Sequence, residues 1–180
     1  MLYFIAIVAP SHINDQVLVW KKYMESEYGC KVALRSPAHI TLVPPFSISE
    51  EKEEELSTHL QQFSRTAKSF SIRVKDFDSF RPSVIFLHVE PDNILLQLKE
   101  SLELYLLSLN KFPVKKEERA FHPHITIANR DLEKKDFPLA WQYFQQINYE
   151  VSFTANAISL LKHNGHTWEI ANAFPLRIKR

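Results

Sequence analysis

Glycine is nearly missing from this chain: its 180 residues include two, Gly29 and Gly165. Loops that wrap phosphates with backbone N–H groups need several glycines at fixed offsets. Their scarcity argues against a kinase, an ATPase or a dinucleotide-binding enzyme. Both glycines have structural explanations instead, Gly29 as a left-handed helix cap and Asn164-Gly165 as a hairpin turn. Cysteine is scarcer still. Cys30 alone builds neither an internal disulfide nor a thiolate metal site, which suits a reducing cytoplasm and a small core residue. No sign of charge dominates, since 22 Lys and Arg face 21 Asp and Glu. Without a broad positive field, a long duplex is a poor partner, and a molecule with one or a few phosphates a better one. Long apolar runs are also lacking: residues 1–10, MLYFIAIVAP, have no basic leader and are too short to span a bilayer. They read as a strand, and no membrane partner is expected.

The chain is 45% apolar, enough for a core that makes residues 1–180 a single domain of two intertwined lobes, expected as a monomer. Ser11 is expected to cap a helix whose apolar positions Ile13, Val17, Trp20, Met24 and Tyr28 run to Gly29. PAHITLVPPF then reads as a strand closed by Pro44 and Pro45. Ser47 and Glu50 have capping-box spacing ahead of a helix that buries Leu56, Leu60 and Phe63. Strands follow from Phe70 and from Ser83, joined by a turn at Pro82. The second half repeats the order: a helix capped by Asp92, a basic loop, the strand FHPHITIANR, and a short helix near Asp136 to Ile147. Two final strands, from about Val151 to Lys162 and from His166 to Phe174, complete it. The expected fold is α+β and bilobal, with two pseudo-symmetric lobes, each an antiparallel sheet backed by helices, around a central groove.

His-Ile-Thr occurs twice, at His39 to Thr41 and at His124 to Thr126. Residues two apart on a strand share a face, so each copy offers an imidazole beside a hydroxyl, while Ile40 or Ile125 turns to the core. By the same parity Val43 and Ala128 should line the groove, as should Phe86 and His88 from SVIFLHVE. Two histidines across one substrate supply an acid and a base near neutral pH. No metal and no cofactor is expected. His122, His124 and His39 could suggest zinc, but no acidic residue lies close to either motif and threonine is a poor zinc ligand. His122 reads as a residue leading into the strand. His12, His59, His163 and His166 read as surface residues, and Lys115, Lys116 and Arg119 as a solvated basic loop or, ahead of the second motif, as a source of local phosphate affinity.

HITL at residues 39–42 and HPHITIA at residues 122–128 resemble the 2H phosphoesterase superfamily, and within it the 2′-5′ RNA ligase-like (LigT-like) and cyclic phosphodiesterase proteins. The resemblance covers the whole chain. It implies metal-independent hydrolysis of 2′,3′-cyclic or 2′-5′ phosphodiesters of nucleotides or RNA ends, with a role in RNA processing and possible reverse 2′-5′ ligation. His39 and His124 would be catalytic, with Thr41 and Thr126 holding the phosphate. Phe86 and His88 are candidate substrate contacts. His124 is assigned as base and His39 as acid, labels that the near-symmetry of the site allows to be exchanged. The rival classes are a non-catalytic RNA-end or nucleotide-binding module and a metal-dependent hydrolase.

Overall fold

Strand patterning and helix periodicity resolve into two four-stranded antiparallel sheets in a computed structural model that describes residues 1–178. In chain order the elements are β1 (Leu2–Val8), α1 (Ser11–Tyr28), β2 (His39–Ser47), α2 (Glu53–Ser64), β3 (Phe70–Phe80) and β4 (Val84–Val89). The second half supplies α3 (Asn93–Leu109), β5 (His124–Ala128), α4 (Phe137–Phe144), β6 (Glu150–Ala155), β7 (Ala157–His163) and β8 (Trp168–Pro175). The sheet orders are β2-β1-β7-β8 and β5-β4-β3-β6. Each motif strand is therefore the edge of its sheet, and β2 and β5 lie in contact. α1 reaches across to β5 and α3 to β2, so helices bridge the two layers around the motif strands.

The sheets do not follow the sequence halves. β3 and β4 leave the first half to join β6 and β5 in one sheet, and β7 returns to flank β1 with β8 outside it. The long final strand expected from Val151 to Lys162 is two strands broken at Asn156, one in each sheet. Ala155 closes the β6 ladder against Phe70, and Ala157 opens the β7 ladder against Pro175. Asn156 keeps a backbone partner, its carbonyl accepting from Leu176 N at 2.8 Å. Apolar patterning alone cannot mark such a crossing, because both strands bury side chains before and after it.

Several boundaries differ from expectation. β2 runs through Pro44 and Pro45 to Ser47. Val43 pairs with Ile5 and Phe46 with Tyr3, so the two prolines bulge opposite Phe4 on an edge strand, where a missing N–H leaves no ladder partner unmet. Ser47 stays in that strand, and no capping box forms; Glu50–Lys52 make a 3-10 turn before α2. Ser11 lies inside α1, with extended Pro10 at the cap position. Gly29 takes the left-handed cap at φ 69°, and the Asp92 carboxylate accepts from Ile94 N at 2.7 Å. That cap stabilises α3 by about 1 kcal/mol.

The main core draws Ile5, Met24, Leu60, Leu87, Leu102 and Phe144 from both sheets and all four helices. Ile40 and Ile125 are fully buried in it, as parity required. Phe4, Ala6 and Leu161 form a second, smaller cluster on the other face of the first sheet, under Val8 and Trp168.

Candidate active site

Each motif histidine is held by the same local device. His39 Nδ1 lies 2.7 Å from the Pro37 carbonyl oxygen, and His124 Nδ1 lies 2.7 Å from the His122 carbonyl oxygen. A carbonyl accepts only, so Nδ1 carries the proton in both rings, and a neutral ring presents an Nε2 lone pair. The residue two before each histidine thus fixes its tautomer. His122, exposed itself, acts through its backbone.

Aromatic rings buttress both imidazoles. Phe4 lies 4.8 Å from His39 and 4.6 Å from Trp168. On the other side Phe86 lies 4.9 Å from His124, and Phe80 meets it edge-on at 5.2 Å. Burial depresses both histidines: His39 falls to about 4, with the Lys21 and His124 charges adding to the burial effect against the Pro37 hydrogen bond. His124 is also lowered by burial, with the His122 charge adding and its carbonyl opposing. His39 therefore sits in the more hostile environment for a proton than His124.

Lys21 contributes in two ways. It is 4% exposed, and Nζ donates to the Ser36 carbonyl at 2.9 Å, tying α1 to the segment that precedes His39. Asn14 Oδ1 accepts from Ala38 N at 2.7 Å and reinforces the tie. Burial pushes Lys21 down to about 8, yet it remains a cation behind His39 at neutral pH. Lys21→Met should therefore raise the His39 pKa, an upward shift measurable by titrating the ring nitrogens in an NMR spectrum.

Thr41 is shared by two cavities. One of about 440 Å³ holds His39, Thr126, Arg35, Arg130 and Trp168. The other, about 510 Å³, holds His124, Phe80, Arg119 and Phe121. The four motif side chains thus line one continuous groove along β2 and β5, all half-buried. Among the described residues, neither threonine hydroxyl has a protein hydrogen-bond partner, and neither Arg35 nor Arg130 has a carboxylate partner. Those hydroxyls and guanidiniums remain available to an anion.

Other residues sit differently from their expected places. Phe86 is 3% exposed and backs His124 from beneath, away from the cavities. His88 pairs with His124 across the ladder but lines neither cavity. Val43 and Ala128 are buried, not groove-lining, because bulges interrupt strict alternation beside both strands. His163, expected on the surface, lines the His39 cavity 4.9 Å from Trp168. Arg35 and Arg130 carry no motif that sequence reading could use. Asp131 brings them together: its Oδ2 accepts from Lys31 N at 2.6 Å and Val32 N at 2.8 Å, docking the turn that bears Arg35 beside the end of β5. Among the described residues no three His, Cys, Asp or Glu side chains gather as a metal-binding group, and no helix is long and apolar enough to cross a membrane.

Residues 9–167 match the family model of the 2′-5′ RNA ligase superfamily. A phosphoesterase candidate from Geobacillus kaustophilus is 30% identical over 178 residues, covering 97% of this chain and 95% of that one. An RNA 2′,3′-cyclic phosphodiesterase of Thermotoga maritima is 32% identical over 144 residues, covering 77% of this chain and 73% of that one. The fold is shared with E. coli LigT crystallised with 3′-AMP, at a TM-score of 0.68, 22% identity and 97% coverage of each chain.

Proposed function

The chain belongs to the 2′-5′ RNA ligase superfamily, the 2H phosphoesterases, and from that membership we propose that it hydrolyses 2′,3′-cyclic phosphodiesters at nucleotide or RNA ends without a metal. The observation that carries this reading is the matched pair of imidazoles, each locked with Nδ1 protonated and Nε2 free beside an uncommitted threonine hydroxyl. Phosphorus would sit at Thr41, where the two cavities meet.

His39, the more strongly depressed ring, is neutral and acts as base. Its Nε2 takes a proton from water, the oxygen of that water bonds to phosphorus, and the bond from phosphorus to the 2′ or 3′ oxygen breaks. His124, protonated at Nε2, gives its proton to that departing oxygen. Thr41, Thr126, Arg35 and Arg130 meet the non-bridging oxygens, where charge grows in the transition state. With the 5′-hydroxyl of a second end in place of water, the same steps form a bond from that oxygen to phosphorus, release the 3′ oxygen with the proton from His124, and join two ends through a 2′-5′ linkage without ATP. A 2′-5′ linkage fits the same pair of histidines.

The test is turnover of nucleoside 2′,3′-cyclic monophosphates in excess chelator. Turnover that persists supports the reading; loss on chelation favours a metal-dependent hydrolase, and binding without turnover a nucleotide-binding module. The pH profile gives an independent check. The base must be unprotonated, so kcat/KM falls as pH drops through about 4. The acid must be protonated, so kcat/KM also falls as pH rises through the His124 value, which burial holds below 6.5. The free-enzyme optimum is expected in the mildly acidic range between them. Bound phosphate stabilises both imidazolium forms, so the kcat profile should lie to the alkaline side of the kcat/KM profile.

A further inference from the structure

The cavity on the His124 side of Thr41 has a charged group sunk into its floor. Lys99 of α3 lines it while 8% exposed, and its Nζ pairs with Glu103, one helical turn on and 4% exposed. The second Glu103 oxygen accepts from Glu117 N at 3.1 Å, which moors the loop carrying Arg119 and Phe121 against α3. An ammonium has three protons to donate. Among the described residues, Glu103 is its one hydrogen-bond partner. Burying an ion pair costs desolvation that a well-packed apolar pair would avoid. Stability therefore does not account for an ammonium at this position.

The remaining wall favours a flat guest. Phe80, at 40% exposed, and Phe121 and Pro44 supply apolar and aromatic surface next to Thr41 and His124. A planar ring with a polar edge fits such a lining, and a nucleobase is the form that comes attached to a phosphate. With phosphate held at the mouth by Thr41 and His124, the sugar lies nearest and the far edge of the base reaches the floor. At that edge guanine presents O6 and uracil O4, both acceptors, whereas adenine presents N6 and cytosine N4, both donors. An ammonium can only donate. We propose that this cavity is a nucleobase subsite in which Lys99 selects a keto base, guanine or uracil. The proposal rests on the phosphodiesterase reading above for the position of the phosphate.

The test is calorimetric titration of the four nucleoside 2′-monophosphates into the intact protein. Guanosine and uridine forms are expected to bind roughly tenfold more tightly than adenosine and cytidine forms. Replacing Lys99→Met together with Glu103→Gln, which strands no charge and keeps an acceptor for Glu117 N, should bring all four within about twofold of one another. Equal affinity for the four bases in the unaltered protein overturns the proposal, and so does a preference that survives the double replacement. The titration of the unaltered protein decides even if the double variant fails to fold. Turnover of all four cyclic nucleotides with no difference in affinity would sink the keto subsite and leave the phosphodiesterase reading standing. A keto preference in binding with no turnover would do the reverse.

Discussion

His39→Ala and His124→Ala should each lower kcat/KM on a 2′,3′-cyclic nucleotide by about 10²- to 10⁴-fold, with the far-ultraviolet circular dichroism of the protein unchanged. The fold should survive because both rings are half-buried at sheet edges, whereas the strands are anchored by Ile40 and Ile125. The two variants should then part company on a 4-nitrophenyl phosphodiester. That leaving group departs as a stable anion and needs no proton, so loss of the acid costs little while loss of the base still costs the full factor. With His39 as base, His124→Ala recovers on the activated substrate and His39→Ala does not. Recovery of His39→Ala instead would exchange the roles, and wild-type rates in both variants on the cyclic nucleotide would remove both histidines from the mechanism.

What the sequence disclosed about this site is the part fixed by local periodicity. Alternation on a strand set His39 with Thr41 and His124 with Thr126, and set the two isoleucines behind them. Alternation failed two residues later, at Val43 and Ala128, because bulges shift the register there. The helices were legible from their 3.6-residue stripes, and the Gly29 and Asp92 ends from their chemistry. Partnership between strands was not. β4 pairs with β5, β3 with β6, and β7 with β1, and those choices depend on contacts between segments many residues apart. The same non-locality hid Arg35, Arg130 and His163, which reach one cavity from three separate loops or strand ends. It also hid the different surroundings of the two histidines. HIT reads the same in both copies, but one has Lys21 behind it and the other has His122 beside it.

Thr41→Val and Thr126→Val should each reduce kcat by about 10²- to 10³-fold, with a smaller change in KM. Valine preserves the branched shape, β propensity and half-buried packing of each position, so what it removes is the hydroxyl. The ground-state substrate carries one negative charge over two non-bridging oxygens, and charge on those oxygens grows as water adds to phosphorus. A donor aimed there is worth more in the transition state than in the bound substrate, which is why the loss should fall on kcat. Serine tests the same point from the other side, because Thr41→Ser and Thr126→Ser keep the donor and should retain most of the rate. Thr41 stands at the junction of the two cavities and Thr126 in one of them. In the proposed mechanism the two hydroxyls address one phosphate from β2 and β5, and the double valine variant should then lose less than the product of the single losses. Full multiplicative loss would mean that the threonines act on separate groups, and unchanged kcat in either valine variant would remove that hydroxyl from the mechanism.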